Sequence, residues 1–146
     1  MGNAHLVILR KEYVEAILKG RKTIESRFTM NRREYWKKIL YGDRLFIKQS
    51  SGPVCATAEV MKVQYYEGLT VERIEQIKKK YNHLISGEDE YWRSKKDCRY
   101  GVLVWLGKVE PIEPVRIDKR DWRAWVVLSK KEDFGLLSNS TLSIQY

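Results

Sequence analysis

Apolar and polar residues recur along the chain with spacings that predict strands separated by short helices. Runs of apolar and β-branched residues predict strands over residues 6–9, 44–50, 54–63 and 100–106. Two prolines make the stretch 109–117 an irregular or edge strand, and 125–128 is expected to add a last one. The strands and helices together predict an α+β domain.

Helical spacing predicts helices over residues 13–19, 71–80 and around 88–94, and a short amphipathic helix or structured loop over 29–40. Gly20 is expected to end the first helix, because glycine takes the positive φ of a helix C′ position without strain. Thr70 is expected to cap the second helix, with Leu69 and Ile74 as a hydrophobic staple and Lys78–Lys80 at its C-terminal end.

Charged residues follow Gly20 closely, in the order Lys22, Glu25 and Arg27. On a strand, Glu25 and Arg27 share a face, and Lys22 is near enough to the turn to point to either side. We expect these side chains to line one solvent-accessible cleft, with Lys22 accessible and of little importance for stability. An ion pair that only anchors the strand is the alternative.

The pattern Gly-x-Lys-x-x-Glu-x-Arg over residues 20–27 resembles the signature of the ASCH domain family, a branch of the PUA-like β-barrels. The resemblance covers about residues 5–128 and is weak over 29–40. It implies an α+β fold: a PUA-like β-barrel of roughly five to seven mostly antiparallel strands with flanking short helices. Residues 1–129 are predicted to form this domain and 130–146 a polar C-terminal tail.

The resemblance also implies catalytic candidates. Some bacterial ASCH-like proteins are amidohydrolases that remove the acyl group from N4-acetylcytidine with the motif lysine, a threonine and a further glutamate. Others resemble ribonucleases or RNA-binding accessory modules. By this resemblance Lys22, Glu25 and Thr23 are the catalytic candidates. Glu25 stands where the amidohydrolases have their threonine, so the same amidohydrolase activity is not expected.

Ligand-binding candidates come from the motif strand and from the hairpin predicted over residues 44–63. In PUA-like barrels such a hairpin forms much of the wall beside the motif. The resemblance therefore implies that the ligand is contacted by Arg27, Lys48, Ser50 and Ser51.

The chain is basic, with 28 Lys and Arg against 19 Asp and Glu, a net charge of +9 and a pI near 9.5. This balance favours a polyanionic partner, although a merely basic surface is the alternative. Basic residues cluster around tryptophans and tyrosines, which combines phosphate attraction with rings for base stacking. The candidates for nucleic-acid contacts are Arg32, Arg33, Trp36, Trp92, Lys95, Lys96 and Trp122.

The sequence predicts a protein that binds RNA, single-stranded nucleic acid or a modified nucleotide in a cleft lined by Lys22, Glu25 and Arg27. The first alternative is a hydrolase, either a ribonuclease or a nucleoside amidohydrolase, that uses Lys22 and Glu25. The second is a protein-interaction module whose charge is incidental. The residues leave open whether the protein turns over a substrate.

No apolar stretch approaches the length of a membrane span, so a cytoplasmic monomer is expected. Neither a metal nor a cofactor is predicted, since His5 and His83 lie in no spaced ligand pair and are expected to be ordinary surface or partly buried histidines. Cys55 and Cys98 are predicted to be buried free thiols, with one disulfide between them as the alternative. Trp105, inside an apolar strand, is expected in the core.

Overall fold

The computed structural model describes residues 2–137. Its main feature is a curled, half-barrel sheet with strand order β2-β5-β4-β3-β1-β6. The strands are β1 (Ala4–Leu9), β2 (Ile24–Thr29), β3 (Arg44–Gln49), β4 (Val54–Glu67), β5 (Tyr100–Val115) and β6 (Trp125–Val127). β1 and β3 are parallel and the other neighbours antiparallel. The predicted α+β, PUA-like fold is confirmed.

Three helices flank the sheet: α1 (Lys11–Leu18), α2 (Val71–Ile85) and α3 (Asp89–Lys95). Gly20, with φ of +79°, follows α1 as predicted. The Thr70 side chain caps α2 by accepting a hydrogen bond from the backbone N–H of Arg73. The predicted end of α2 at residue 80 is wrong. Ile85 continues the buried face that includes Ile77, and the helix extends through residue 85.

The strands also differ from the predicted pattern in length. β4 and β5 are continuous to Glu67 and Val115, so residues 109–115 extend β5 and do not form a separate edge strand. Three register shifts in this long pair are the bulges that allow it to bend. The segment 29–40 contains turns and no helix, and it is anchored by the buried side chains of Tyr35 and Ile39.

The core divides into clusters on the two faces of the curled sheet. One contains Tyr35 and Trp125, and another, beneath α2 and α3, contains Phe28 and Trp92. Trp105 is only partly buried against this second cluster, so the prediction that it lies in the core is only partly correct. The helices described here include none long and apolar enough to cross a membrane.

Two further features concern the tail and the cysteines. Leu136 is buried in a third cluster, so the part of the predicted tail at residues 130–137 packs against the domain. Residues 138–146 lie outside the described part of the chain. Cys55 and Cys98 are free thiols, as predicted, but only Cys98 is buried, whereas Cys55 is partly exposed.

Candidate functional site

A cleft of about 1040 Å³ lies between the two edges of the half-barrel. β2 is the strand at one edge of the sheet and β6 the strand at the other. The cleft walls are formed by β1, β2, α1, α3, the turn at residues 32–35 and the loop at 122–125. The motif residues Lys22, Glu25 and Arg27 all belong to this lining.

Arg27 links the two edges of the sheet across the cleft. From β2, its Nη2 donates to the Ile8 carbonyl of β1 at 3.0 Å, and its Nη1 donates to the Ala124 carbonyl at 3.3 Å. The guanidinium also lies 5.4 Å from the centre of the Trp125 ring in β6. The Arg27 side chain thus bridges β2 and β1, which share no backbone hydrogen bonds with each other. The gap between these strands beside Arg27 leaves room for a ligand.

Glu25 lies at the base of the cleft between two cations. Its Oε1 is 3.0 Å from Lys22 Nζ, and its Oε2 accepts a hydrogen bond from Arg27 Nε at 2.8 Å. Burial alone would raise the pKa of Glu25, but the positive charges of Lys22 and Arg27 outweigh it and hold that pKa below its ordinary value. Glu25 is therefore an ionised carboxylate at neutral pH.

The expectation of an accessible Lys22 is wrong, since only 3% of the residue is exposed. Besides Glu25, its Nζ donates to the carbonyls of Ile24 and Ile85, at 2.9 and 2.8 Å. An ammonium group has three N–H donors, and here each has an acceptor. The Ile85 carbonyl is at the C-terminus of α2, where helix carbonyls have no partner within the helix. Lys22 thus caps α2 and holds Glu25.

A second buried hydrogen-bond network holds Trp125 in place in the wall of the cleft. Trp125 Nε1 donates to His5 Nδ1 at 3.0 Å, and His5 Nε2 is 2.8 Å from Asp43 Oδ2. Because Nδ1 accepts, Nε2 carries the proton and donates to Asp43. Burial lowers the pKa of His5 despite the opposing effect of Asp43. The prediction of a surface or partly buried His5 is wrong: the residue is fully buried and supports Trp125.

Tyrosines that the sequence did not indicate line the cleft. The Tyr91 hydroxyl is 2.7 Å from Ser26 Oγ, and burial raises the pKa of Tyr91. The ring of Tyr13 has Lys22 Nζ at 5.2 Å from its centre. The prediction selected Trp92, the neighbour of Tyr91, but Trp92 points into the core and donates to Asn82 Oδ1 at 3.0 Å. Trp92 is therefore not available for base stacking.

The rim of the cleft carries cations and one exposed ring. Arg32, Arg33, Lys95 and Trp122 line it, and Trp122 is 100% exposed. Within residues 2–137, neither Arg33 nor Lys95 has a carboxylate partner, and Arg32 Nη2 is 3.5 Å from Glu67 Oε2. The basic residues next to Trp122 are different, since each forms an ion pair with a nearby carboxylate: Lys119, Arg120 and Arg123.

Other predicted site residues lie outside the cleft lining: Thr23, Trp36, Lys48, Ser50, Ser51 and Lys96. The hairpin candidates lie away from the cleft because β1 and β6 lie between β3 and the open side of the sheet. The Lys48 side chain donates instead to the Gln49 carbonyl at 3.2 Å. The backbone N–H of Thr23 donates to the Leu84 carbonyl near the end of α2.

We expect Glu25 to make the free energy of unfolding depend on pH in the acidic range. A carboxyl group whose pKa is lower in the folded state stabilises the fold above its unfolded pKa of about 4.3, and this contribution disappears as pH falls through the folded pKa. The stability gap between the wild type and Glu25→Gln should therefore narrow as pH falls below that value. Urea unfolding at stepped pH measures it, with the exposed Glu15→Gln as control. A gap that does not change with pH would contradict the ion-pair geometry.

The fold and the charged cleft define a PUA-like half-barrel with a Lys-Glu-Arg cluster between its sheet edges. The ASCH domain model matches residues 7–113, which include the Gly20–Arg27 motif, and the chain therefore belongs to the ASCH domain family. The resemblance predicted from the motif is confirmed.

Solved structures agree on the fold. The chain is similar to ASCH from Zymomonas mobilis, with 16% identity, a TM-score of 0.70, and coverage of 92% of this chain and 94% of that one. Two single-residue variants of the Zymomonas protein match with a TM-score of 0.69, at 16% and 18% identity, over 92% of this chain and 96% and 94% of theirs. At this identity the likeness concerns the fold alone. No curated protein matches the sequence.

Proposed function

We propose that the cleft binds single-stranded RNA or a modified nucleotide, with a base stacked on Trp122. The observation that carries this proposal is a fully exposed tryptophan in the lining of a cleft that also contains the cations Arg32, Arg33 and Lys95. Exposed aromatic rings next to lysine and arginine provide a stacking surface for bases and attraction for phosphates. Membership in a family that is generally proposed to bind RNA and the net charge of +9 support the same ligand.

The base of the cleft supplies groups for hydrogen bonds to a base edge. Each Glu25 oxygen has one cationic partner and therefore a lone pair left for an N–H donor of the ligand. The paired hydroxyls of Ser26 and Tyr91 add acceptor oxygens nearby; the Tyr91 hydroxyl itself donates to the Ser26 carbonyl at 3.2 Å. Ligand pockets usually enclose about 300–1,000 Å³, so a cleft of about 1040 Å³ has ample room for a nucleotide.

Hydrolysis has less support than binding. A lysine that acts as a general base needs a neutral amine with a free lone pair, whereas Lys22 Nζ contacts three oxygen acceptors. Of the two other catalytic candidates, Thr23 is not part of the cleft lining, whereas Glu25 is. Lys22 therefore orients Glu25 in this proposal, and Arg27 and Glu25 contact the ligand.

Trp122→Ala is expected to weaken binding of a single-stranded RNA by about 1 to 3 kcal/mol, the usual contribution of one stacked base. Trp122→Phe should retain much of the affinity because it keeps an aromatic face. Fluorescence anisotropy of a labelled oligonucleotide measures both. Stability should be unchanged, since the ring is fully exposed.

The matched control is Tyr41→Ala, which removes a 71% exposed ring that does not line the cleft. This variant should bind like the wild type. Equal affinity of Trp122→Ala and the wild type would contradict the proposed stacking. Equal losses in Trp122→Ala and Tyr41→Ala would show that binding is a general property of the surface.

A further inference from the structure

A cluster of aromatic rings lies next to the cleft but outside its lining. Trp36 packs edge to face on Tyr65 and Tyr100, with ring centres 4.9 and 5.4 Å apart. These residues, from the turn at 34–38, β4 and β5, form what we call the aromatic patch, and each is partly exposed. Tyr65 is held in place because its hydroxyl accepts a hydrogen bond from the Ile39 N–H at 3.0 Å. The patch is thus a preformed surface.

Cations lie over the rings of the aromatic patch. Lys37 Nζ is 5.3 Å from the centre of the Tyr65 ring and 5.8 Å from that of Trp36. The Arg32 guanidinium is 5.4 Å from the centre of the Tyr100 ring. Lys37 has a positive φ of 63°, a conformation unusual for lysine. Among the residues described, Lys37 has no carboxylate partner, so its charge is available to an anion.

The aromatic patch and the cleft share a border. Arg32 lines the cleft and also contacts Tyr100. Thr29, which lines the cleft as well, is paired with Tyr100 across β2 and β5. A nucleotide strand that leaves the cleft past Arg32 therefore meets the aromatic patch.

We infer that the aromatic patch extends the site, so that the ligand is a single strand of several nucleotides and not a free mononucleotide. This inference rests on the proposed function of the cleft. One nucleotide occupies the cleft, the following phosphates contact Arg32 and Lys37, and a further base lies against the rings of the patch. Rings and cations in alternation match the bases and phosphates of a strand, whereas a mononucleotide reaches only the cleft.

Binding of an RNA length series tests the inference. A mononucleotide, a trinucleotide and a hexanucleotide are compared in the wild type and in Trp36→Leu and Lys37→Gln. We expect wild-type affinity to rise with length, and each variant to lose about tenfold for the hexanucleotide while its affinity for the mononucleotide is unchanged. Lys37→Gln changes an exposed side chain, so it remains informative if Trp36→Leu is unstable.

Lys62→Gln is the matched control. Lys62 Nζ lies 4.6 Å from the centre of the Trp105 ring, which packs on Tyr81, but none of these residues lines the cleft. This variant should bind every length like the wild type. An equal loss in Lys62→Gln and Lys37→Gln would overturn the inference.

The outcomes separate this inference from the proposed function. If wild-type affinity does not rise with RNA length but binding still depends on Trp122, the extended site is overturned and the cleft proposal stands. Variants of the aromatic patch that weaken all lengths equally would also overturn it, because they would act through the cleft. Absence of binding at every length would overturn both.

Discussion

Lys22→Met is expected to lower the free energy of unfolding by about 3–5 kcal/mol, the usual effect of removing one partner from a buried ion pair. Methionine keeps the length of the side chain but removes all three N–H donors. Glu25 would lose one of its two cations, and the carbonyls of Ile24 and Ile85 would lose their donor. Buried polar groups without partners are among the most destabilising features of a fold.

Urea unfolding measures this effect as a shift in the midpoint at constant slope. Arg21→Met is the matched control, because Arg21 is the exposed neighbour of Lys22, and it should change stability by no more than about 0.5 kcal/mol. The double variant Lys22→Met with Glu25→Gln should lose less than the sum of the single variants. A loss in Lys22→Met as small as that in Arg21→Met would contradict the structural role of this lysine.

Neutralising the rim of the cleft should have the largest effect on binding. In a triple variant with Arg32, Arg33 and Lys95 each changed to Gln, the log-log salt dependence of single-strand affinity should become shallower by about two units, since each phosphate contact contributes about 0.7. The corresponding loss of affinity at low salt is about two orders of magnitude. Titrations of labelled RNA at several salt concentrations give both quantities.

A second triple variant has the same change in net charge and serves as the control. Lys19, Lys79 and Lys80 are exposed and lie outside the cleft lining. Their replacement by Gln should leave the salt dependence nearly unchanged, because charges beyond a Debye length of about 10 Å are largely screened. Equal effects in the two triple variants would show that binding depends on net charge and not on the rim.

Local patterns were sufficient to predict most elements of the fold. Alternation and apolar runs indicated the strands, Gly20 indicated the end of α1, and Thr70 indicated the N-terminal cap of α2. The extension of α2 to Ile85 was missed because Asn82 and His83 interrupt the apolar pattern after residue 80, whereas in the structure Tyr81, Leu84 and Ile85 pack against the core. The length of β5 was also missed. Proline is disfavoured in strands, so the prolines argued against a continuous strand, but bulges in the β4–β5 pair accommodate them.

The site was harder to predict because its geometry depends on contacts between distant residues. The motif correctly brought Lys22, Glu25 and Arg27 together, but the Ile85 carbonyl that buries Lys22 is 63 positions away. Similarly, the orientation of α3 decides that Tyr91 lines the cleft and Trp92 the core, and adjacent aromatic residues carry no local signal for that choice.

The most direct test of nucleic-acid binding in the cleft is a titration of the tryptophan indole N–H signals in a ¹⁵N-labelled sample with a single-stranded RNA hexanucleotide. Each of the five tryptophans contributes one signal, assigned by replacing each in turn with Phe. We predict the largest shift for Trp122, a shift for Trp36 with the hexanucleotide but not with a mononucleotide, and none for Trp105. Saturable binding that shifts Trp105 and leaves Trp122 unmoved would contradict the cleft as the binding site.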